Sequence, residues 1–353
     1  MRRTTFVVLS AAAAAAALAV LAAALTAAHP RTAQVRAVDL HVFALETVDD
    51  LRALYRYQPD GPPLLHAHRG GARPGFPENA LETFENTLRH TWAALEVDPR
   101  WTRDGVLVLF HDPTLERTST GHGRVADHTW AELQQLRLKD PDGTVTPYHI
   151  PTLDEALAWA KGRTVLLLDD KGVDILERAR AVQRQQAHAW AIVMAYSFDD
   201  ARRLYEFDPD ILMQVFLPDA AAVERFEATG VPWRNVVGFV THTEPSEPDI
   251  FQRLAARGAL GVLGTSRTVD RAYLAGKIDR DGFVAGYRRA IASGAQIVEA
   301  DLAVEAGEAL EPLRAAATAK RGFFRIQARP SILPSALLGG LRSGPVSAAR
   351  DLL

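Results

Sequence analysis

The sequence predicts an α/β protein folded as a TIM (β/α)8 barrel, with a β-hairpin and an insertion on its active-site face. Three observations predict it. Strand-like apolar runs alternate with helix-compatible segments from residue 64 to residue 300, the pattern of a parallel sheet, and so many repeats favour a closed barrel over two open sheets. The polar residues His68-Arg69, Glu96 with Asp98, His111-Asp112 and Asp169 with Lys171 each close one of four such runs. Charges drawn from the ends of several strands are how this kind of barrel builds a site. Finally, 353 residues are enough for one barrel with decoration or for two smaller domains, so the length permits the barrel and the alternation chooses it.

The elements follow in order. Met1-Arg2-Arg3 precedes an unbroken run of apolar and small residues over 6–24, which exits through Thr26-Ala27-Ala28 and Pro30. A charged start, an apolar middle and a small-residue exit read as an export signal over residues 1–28. The apolar run also has nearly the length of a membrane span, so residues 6–25 could stay on as an anchor. The expected location is therefore outside the cytoplasm, secreted or periplasmic, with membrane association confined to that segment. Residues 29–63 form a lead-in containing one amphipathic helix over 48–57, closed by Pro59-Asp60-Gly61-Pro62-Pro63. The barrel domain is expected over 64–320.

Strands are predicted at 64–68, 93–98, 106–110, 164–169, 191–196, 211–216, 236–241, 259–263 and 296–300. Helices fit 79–90, 153–160, 174–187, 199–206, 219–228, 247–256 and 281–292. Nine strands are one too many for the barrel. The second and third are separated only by 99–105, too short for a crossover helix and holding the hairpin signal Asp104-Gly105. Segment 93–110 is therefore expected to be a β-hairpin with one arm extra to the barrel, and either arm could be the extra one. Residues 113–151, rich in Gly, Thr, Asp and Pro, interrupt the alternation and are expected to form a substrate-facing cap. Residues 321–353 form a peripheral tail.

Composition narrows the function. Apolar residues at 48% and charged residues at 24% are ordinary globular values, which argue against disorder and against a multi-span membrane protein. A net charge of −3 argues against a dedicated nucleic-acid binder. The chain has no cysteine, so neither a disulfide nor a thiolate nucleophile is available, and stability rests on a packed core.

Side chains alternate along a strand, so Glu96 and Asp98 face the same way, as do Asp169 and Lys171. Three carboxylates at one barrel mouth repel unless a cation joins them, and all-oxygen donors suit a hard divalent ion, Mg²⁺ or Ca²⁺. His68 and His111 titrate near neutrality and suit an acid/base pair. His66 shares the face of His68 and is a lesser candidate, while His122, His128 and His149 lie in the insertion, where at most they touch substrate. Arg69 and Lys171 offer a planar fork and a point charge for a phosphate. Together these groups describe metal-assisted cleavage of a phosphate ester in a small-molecule phosphodiester.

The run His68-Arg69-Gly70-Gly71, Pro77-Glu78-Asn79, Glu96-Val97-Asp98, Thr102 to Gly105, His111-Asp112, Leu115 to Thr118, Gly121 to Gly123, Ile150 to Leu153 and Asp169-Asp170-Lys171 resembles the glycerophosphodiester phosphodiesterase family in order and spacing. Gly294 to Asp301 is similar to the family's final barrel strand with its terminal Asp. The resemblance covers residues 48 to 315. It implies a metal-dependent TIM barrel that hydrolyses a glycerophosphodiester to glycerol phosphate and an alcohol. It also implies His68 and His111 as acid/base catalysts, Arg69, Lys171 and Glu78 around the phosphate, and Glu96, Asp98 and Asp169 on the metal. The third metal position is most often Glu in that family, and Asp169 is shorter by one methylene. An Asp there is also the pattern of the sphingomyelinase-D-like lipases, which form a cyclic phosphate but lack the His-Arg-Gly and Pro-Glu-Asn blocks seen here. A non-catalytic phosphodiester-binding barrel at the cell surface is the alternative of another class.

Overall fold

A computed structural model of the chain describes residues 37–333. The expected export signal or anchor, residues 1–28, lies outside the described residues, as does the tail beyond 333. In chain order the strands are β1 (Ala37–Phe43), β2 (Leu64–Ala67), β3 (Ala94–Val97), β4 (Pro99–Trp101), β5 (Leu107–Leu109), β6 (Leu166–Leu168), β7 (Ala191–Ala195), β8 (Leu212–Phe216), β9 (Val236–Thr241), β10 (Leu260–Gly264), β11 (Ile297–Ala300) and β12 (Phe324–Pro330).

Eight of them close a parallel barrel in the order β2-β3-β6-β7-β8-β9-β10-β11, with β11 pairing back onto β2. Alternation decides what fills it. Leu64, Val165, Leu167, Ile192, Leu212 and Val262 belong to one buried cluster with Leu51, Leu54 and Tyr55 of the helix Val48–Tyr55. That helix starts at a capping box of Thr47 and Asp50, which satisfies free N–H groups at its first turn. The complementary faces of the strands join Phe84, Leu88, Phe226, Phe251, Phe283 and other helix residues in a second, larger cluster. A barrel interior packed by branched side chains, inside a ring of helices, is a core and not a pore.

Two sequence expectations need correction. The barrel strand is β3, and the hairpin is made by β4 with β5, paired antiparallel from Pro99↔Leu109 to Trp101↔Leu107. Neither hairpin arm is a barrel strand. Pro99 has no N–H to donate, so the chain leaves the parallel ladder after Val97 and turns back at Gly105, whose φ is +77°. The second correction concerns the ends. β1 in the lead-in and β12 in the tail pair antiparallel over seven positions, Ala37↔Pro330 to Phe43↔Phe324. The residues up to 330 are therefore not a peripheral tail. This ribbon packs on the helix Leu81–His90 through His41 Nδ1 and the Leu88 carbonyl at 2.9 Å, and on Trp92, whose Nε1 donates to Arg325 O at 3.0 Å.

The segment 113–151 has a small core of its own. Val108, Phe110, Leu115, Val125, Leu133, Leu138 and Ile150 are buried together, around the one-turn helix Trp130–Leu133 with its Thr129–Glu132 capping box. Among the described residues, no helix is long and apolar enough to cross a membrane.

Candidate active site

The mouth of the barrel is built from the chain just beyond β2, β3, β5, β6 and β11. After β2 the backbone turns sharply: Arg69, Gly70 and Gly71 all have positive φ, at 51°, 84° and 86°. At Gly70 an added Cβ would lie 2.3 Å from the Phe84 ring, so both the conformation and the space demand glycine. The turn aims the Arg69 amide at Glu96, whose Oε2 accepts it at 2.7 Å. Asn79, also left-handed at φ 57°, receives Asp98 N on its Oδ1 at 3.0 Å and donates from Nδ2 to Asp98 Oδ2 at 2.5 Å. The turn at Arg69 and the left-handed Asn79, both between β2 and the helix Leu81–His90, thus each fix one of the two carboxylates at the end of β3. Arg100 of β4 donates to His111 O at 3.0 and 2.6 Å and to Lys171 O at 3.1 Å. The hairpin therefore returns His111 to the mouth and ties it to the loop after β6.

Glu96, Asp98 and Asp169 are all buried and offer oxygens that lie within 4.8 Å of one another. Burial, then the charge of Asp98, raises the Glu96 carboxyl well above its ordinary range. Asp98 goes the other way: burial opposes its charge, but Lys171, His111 and Arg69 outweigh it and hold its pKa down. Lys171 ion-pairs with Asp169 and lies 3.0 Å from Asp98 Oδ1, an atom that is buried without a hydrogen bond. Three converging buried carboxylates, one of them driven toward its protonated form, fit a hard divalent cation; among the described residues no nitrogen or sulfur donor joins them.

Each histidine of the pair has its Nδ1 held by a carboxylate. His68 Nδ1 lies 2.5 Å from Asp301 Oδ1, and His111 Nδ1 lies 2.7 Å from Asp112 Oδ1. An ionised carboxylate only accepts, so Nδ1 carries the hydrogen in both rings and Nε2 is left for chemistry. Their pKa values diverge. Burial works against the charged form of His68, but the hydrogen bond and charge of Asp301, with Glu96, push it up to about 10. At His111 burial wins, with Arg69 and Lys171 adding to it, and the pKa falls below 6.5.

The sequence of the mouth decides the family. A profile of the Glycerophosphoryl diester phosphodiesterase family matches residues 68–284. This chain belongs to that family. A solved glycerophosphoryl diester phosphodiesterase from Parabacteroides distasonis is 39% identical, with a TM-score of 0.78 over 82% of this chain and 100% of the other. Among curated relatives, the human glycerophosphodiester phosphodiesterase 1 is 39% identical over 88 residues, which is 25% of this chain and 26% of that protein. A probable glycerophosphodiester phosphodiesterase 1 of Mycobacterium tuberculosis is 46% identical over 66 residues, 19% of this chain and 24% of the other. These alignments span about a quarter of the curated relatives. A phosphodiesterase from Oleispira antarctica, solved with the product sn-glycerol-3-phosphate, shares the fold at 21% identity and a TM-score of 0.51, over 71% of this chain and 97% of the other.

The predicted residues of this glycerophosphoryl diester phosphodiesterase relative do not all stand alike. Glu96, Asp98, Asp169 and Lys171 converge, and the Asp169 carboxylate also accepts from the Tyr196 hydroxyl. His68 and His111 flank them. Glu78, expected at the phosphate, has both oxygens taken up by guanidinium groups: Arg69 Nη1 at 3.0 Å, and Arg117 at 3.0 and 2.7 Å. A carboxylate so paired orients the Arg69 fork rather than meeting an anion itself. His66 is fully buried, bonds Tyr55 Oη at 3.1 Å, and is pushed down to about 3 by burial; it is a neutral core residue. His128 bonds the His122 carbonyl, and His149 Nδ1 faces both the Gln134 carbonyl and Arg137 Nη1, bonding one or the other according to its tautomer, so these ties lie within the insertion.

Sequence reasoning gave no role to Glu299, Arg117 or Tyr196, and it named Asp112 and Asp301 without giving them partners. Asp301 follows Glu299 by two positions on a strand that ends at Ala300, so alternation alone places both on the barrel's inner face. Glu299 is buried there, and burial followed by Asp169 and Asp301, against His68, pushes it up to about 7. Arg117 and Tyr196 lie on loops, where no period announces them.

Proposed function

We propose that this protein is a metal-dependent glycerophosphodiester phosphodiesterase that releases glycerol phosphate and an alcohol by two-histidine acid/base catalysis. The observation that carries the reading is the buried triad Glu96, Asp98 and Asp169 flanked by two histidines whose Nδ1 atoms are each held by an aspartate. Mg²⁺ or Ca²⁺ on that triad supplies, when bound, charge to neutralise the phosphate oxygens. Arg69, held in orientation by Glu78, and Lys171 supply the remaining positive charge.

The divergent histidines divide the proton work. His111, neutral at Nε2, takes the proton of the attacking hydroxyl, which comes from water or from a neighbouring glycerol hydroxyl. A new P–O bond forms as the bond to the alcohol breaks. His68, protonated at Nε2, gives its proton to the departing alcohol oxygen. Attack by the substrate's own hydroxyl gives a cyclic phosphate first, which water then opens.

The test is release of glycerol phosphate from glycerophosphocholine, glycerophosphoglycerol and glycerophosphoinositol, with wild type, His68→Ala and His111→Ala. Each alanine variant is expected to lose at least about 10²-fold in kcat. Turnover undiminished in both overturns the assignment. We also place this activity outside the cytoplasm, on the apolar run over 6–24; cell fractionation that finds the protein wholly in the cytoplasm contradicts that placement.

A further inference from the structure

The insertion carries a side chain on which the acid/base residue and the phosphate fork both depend. Arg117 uses both edges of its guanidinium. Nε and Nη2 donate to the two oxygens of Asp112 at 2.6 and 2.8 Å, while Nη1 and Nη2 donate to the two oxygens of Glu78 at 3.0 and 2.7 Å. Asp112 in turn holds His111 Nδ1 at 2.7 Å, and Glu78 holds Arg69 Nη1 at 3.0 Å. An unbroken chain of charge-assisted hydrogen bonds therefore runs His111, Asp112, Arg117, Glu78, Arg69. Only a planar fork serves two carboxylates at fixed angles; an ammonium has neither the plane nor the reach.

The mounting of Arg117 is firm. Leu115, two residues before it, is fully buried in the small core of the insertion. Its N–H donates to Gly123 O at 2.9 Å, Ser119 N donates back to Leu115 O at 3.0 Å, and Lys139 N donates to Thr118 O at 2.9 Å. The other histidine is held differently, because its partner Asp301 is fixed through its own backbone N–H, 2.8 Å from Asp270 Oδ2. On the His111 side, the equivalent fixing of Asp112 comes from the insertion.

We infer that Arg117 is a positioning residue of the hydrolysis: by bridging Asp112 and Glu78 it sets the ring of His111 and the fork of Arg69 together, and so makes the insertion a working part of the site. The inference rests on the hydrolytic reading above, and wild-type turnover is the control that tests that reading by itself.

The experiment is a double-mutant cycle on glycerophosphocholine hydrolysis at saturating Mg²⁺ or Ca²⁺, with Arg117→Ala, Asp112→Asn and their combination. kcat and KM are taken per folded protein, from circular dichroism and thermal melting. Arg117→Ala is expected to lower kcat at least about 30-fold, and the double variant to be no slower than about the slower single, as for residues that act as a unit. Added guanidinium ion is expected to restore part of the Arg117→Ala rate, an effect that a purely structural role would not give. Should Arg117→Ala fail to fold, Arg117→Lys retains the charge without the bridge and is expected to lose at least about 10-fold in kcat. Full activity in a folded Arg117 variant, or single losses that simply multiply in the double variant, overturns the inference.

Discussion

His68 and His111 are alike in their Nδ1 partners and opposite in the direction of their pKa shifts, and the reason lies in what surrounds each ring. At His68 the hydrogen bond and charge of Asp301, with Glu96, overcome burial, whereas at His111 burial, with Arg69 and Lys171, outweighs Asp98 and Asp112. A bell-shaped dependence of kcat/KM on pH follows. Activity should rise as His111 loses its proton, with a midpoint below 6.5, and fall as His68 loses its own near 10. Asp301→Asn should bring the alkaline limb down; an alkaline limb that stays in place removes His68 as the acid.

Glu299 gives a second test, on stability. Its folded pKa of about 7 lies above the ordinary 4.5, so between those values the native state binds more protons than the unfolded one. Stability from this group is therefore lost as pH rises from 4.5 to 7 and stays lost above. In chelator-treated protein, Glu299→Gln should raise stability at pH 8 by up to about 3 kcal/mol and change little at pH 4.5, as urea unfolding would measure. Residue by residue, the sequence showed the charged strand ends well, because a charge after an apolar run is conspicuous. It did not show that Glu78 would be consumed by two arginines, since one of them, Arg117, lies 39 positions away.

At the scale of elements, the turn after β2 and the β4–β5 hairpin position the chemistry, and their glycines differ in kind. Gly70 has φ +84° and the Phe84 ring 2.3 Å from an added Cβ, whereas Gly105 has φ +77° with nothing within 4 Å. Gly105→Ala should cost about 1 kcal/mol for the backbone alone, and Gly70→Ala at least about 2, with activity falling further as Arg69 and the amide on Glu96 shift. Equal costs in urea unfolding would show that the ring gives way freely. The hairpin was legible from Asp104-Gly105 and the short gap. Its exact arms were not, because β3 and β4 run on through 94–101 with only Asp98 between them, and whether a strand pairs in parallel or turns back is decided by tertiary partners.

On the scale of the whole molecule, the alternation of strands and helices was enough to give the barrel, because each βα unit is local in sequence. The β1–β12 ribbon was not legible for the opposite reason: its strands pair Phe43 with Phe324 across nearly the whole domain. Removing residues from 324 onward should leave β1 without its partner and uncover Trp92 and Phe43, which pack on Phe324. The melting temperature should then fall by several degrees, and an unchanged value would make the ribbon an ornament. The account as a whole turns on the carboxylate triad acting with a metal. The most direct measurement is hydrolysis of glycerophosphocholine by chelator-stripped protein titrated with Mg²⁺ and with Ca²⁺, beside Asp98→Asn. The account predicts no turnover when stripped, saturable recovery with at least one of the two ions, and loss of that recovery in Asp98→Asn. Stripped protein that turns over at the full rate would contradict it.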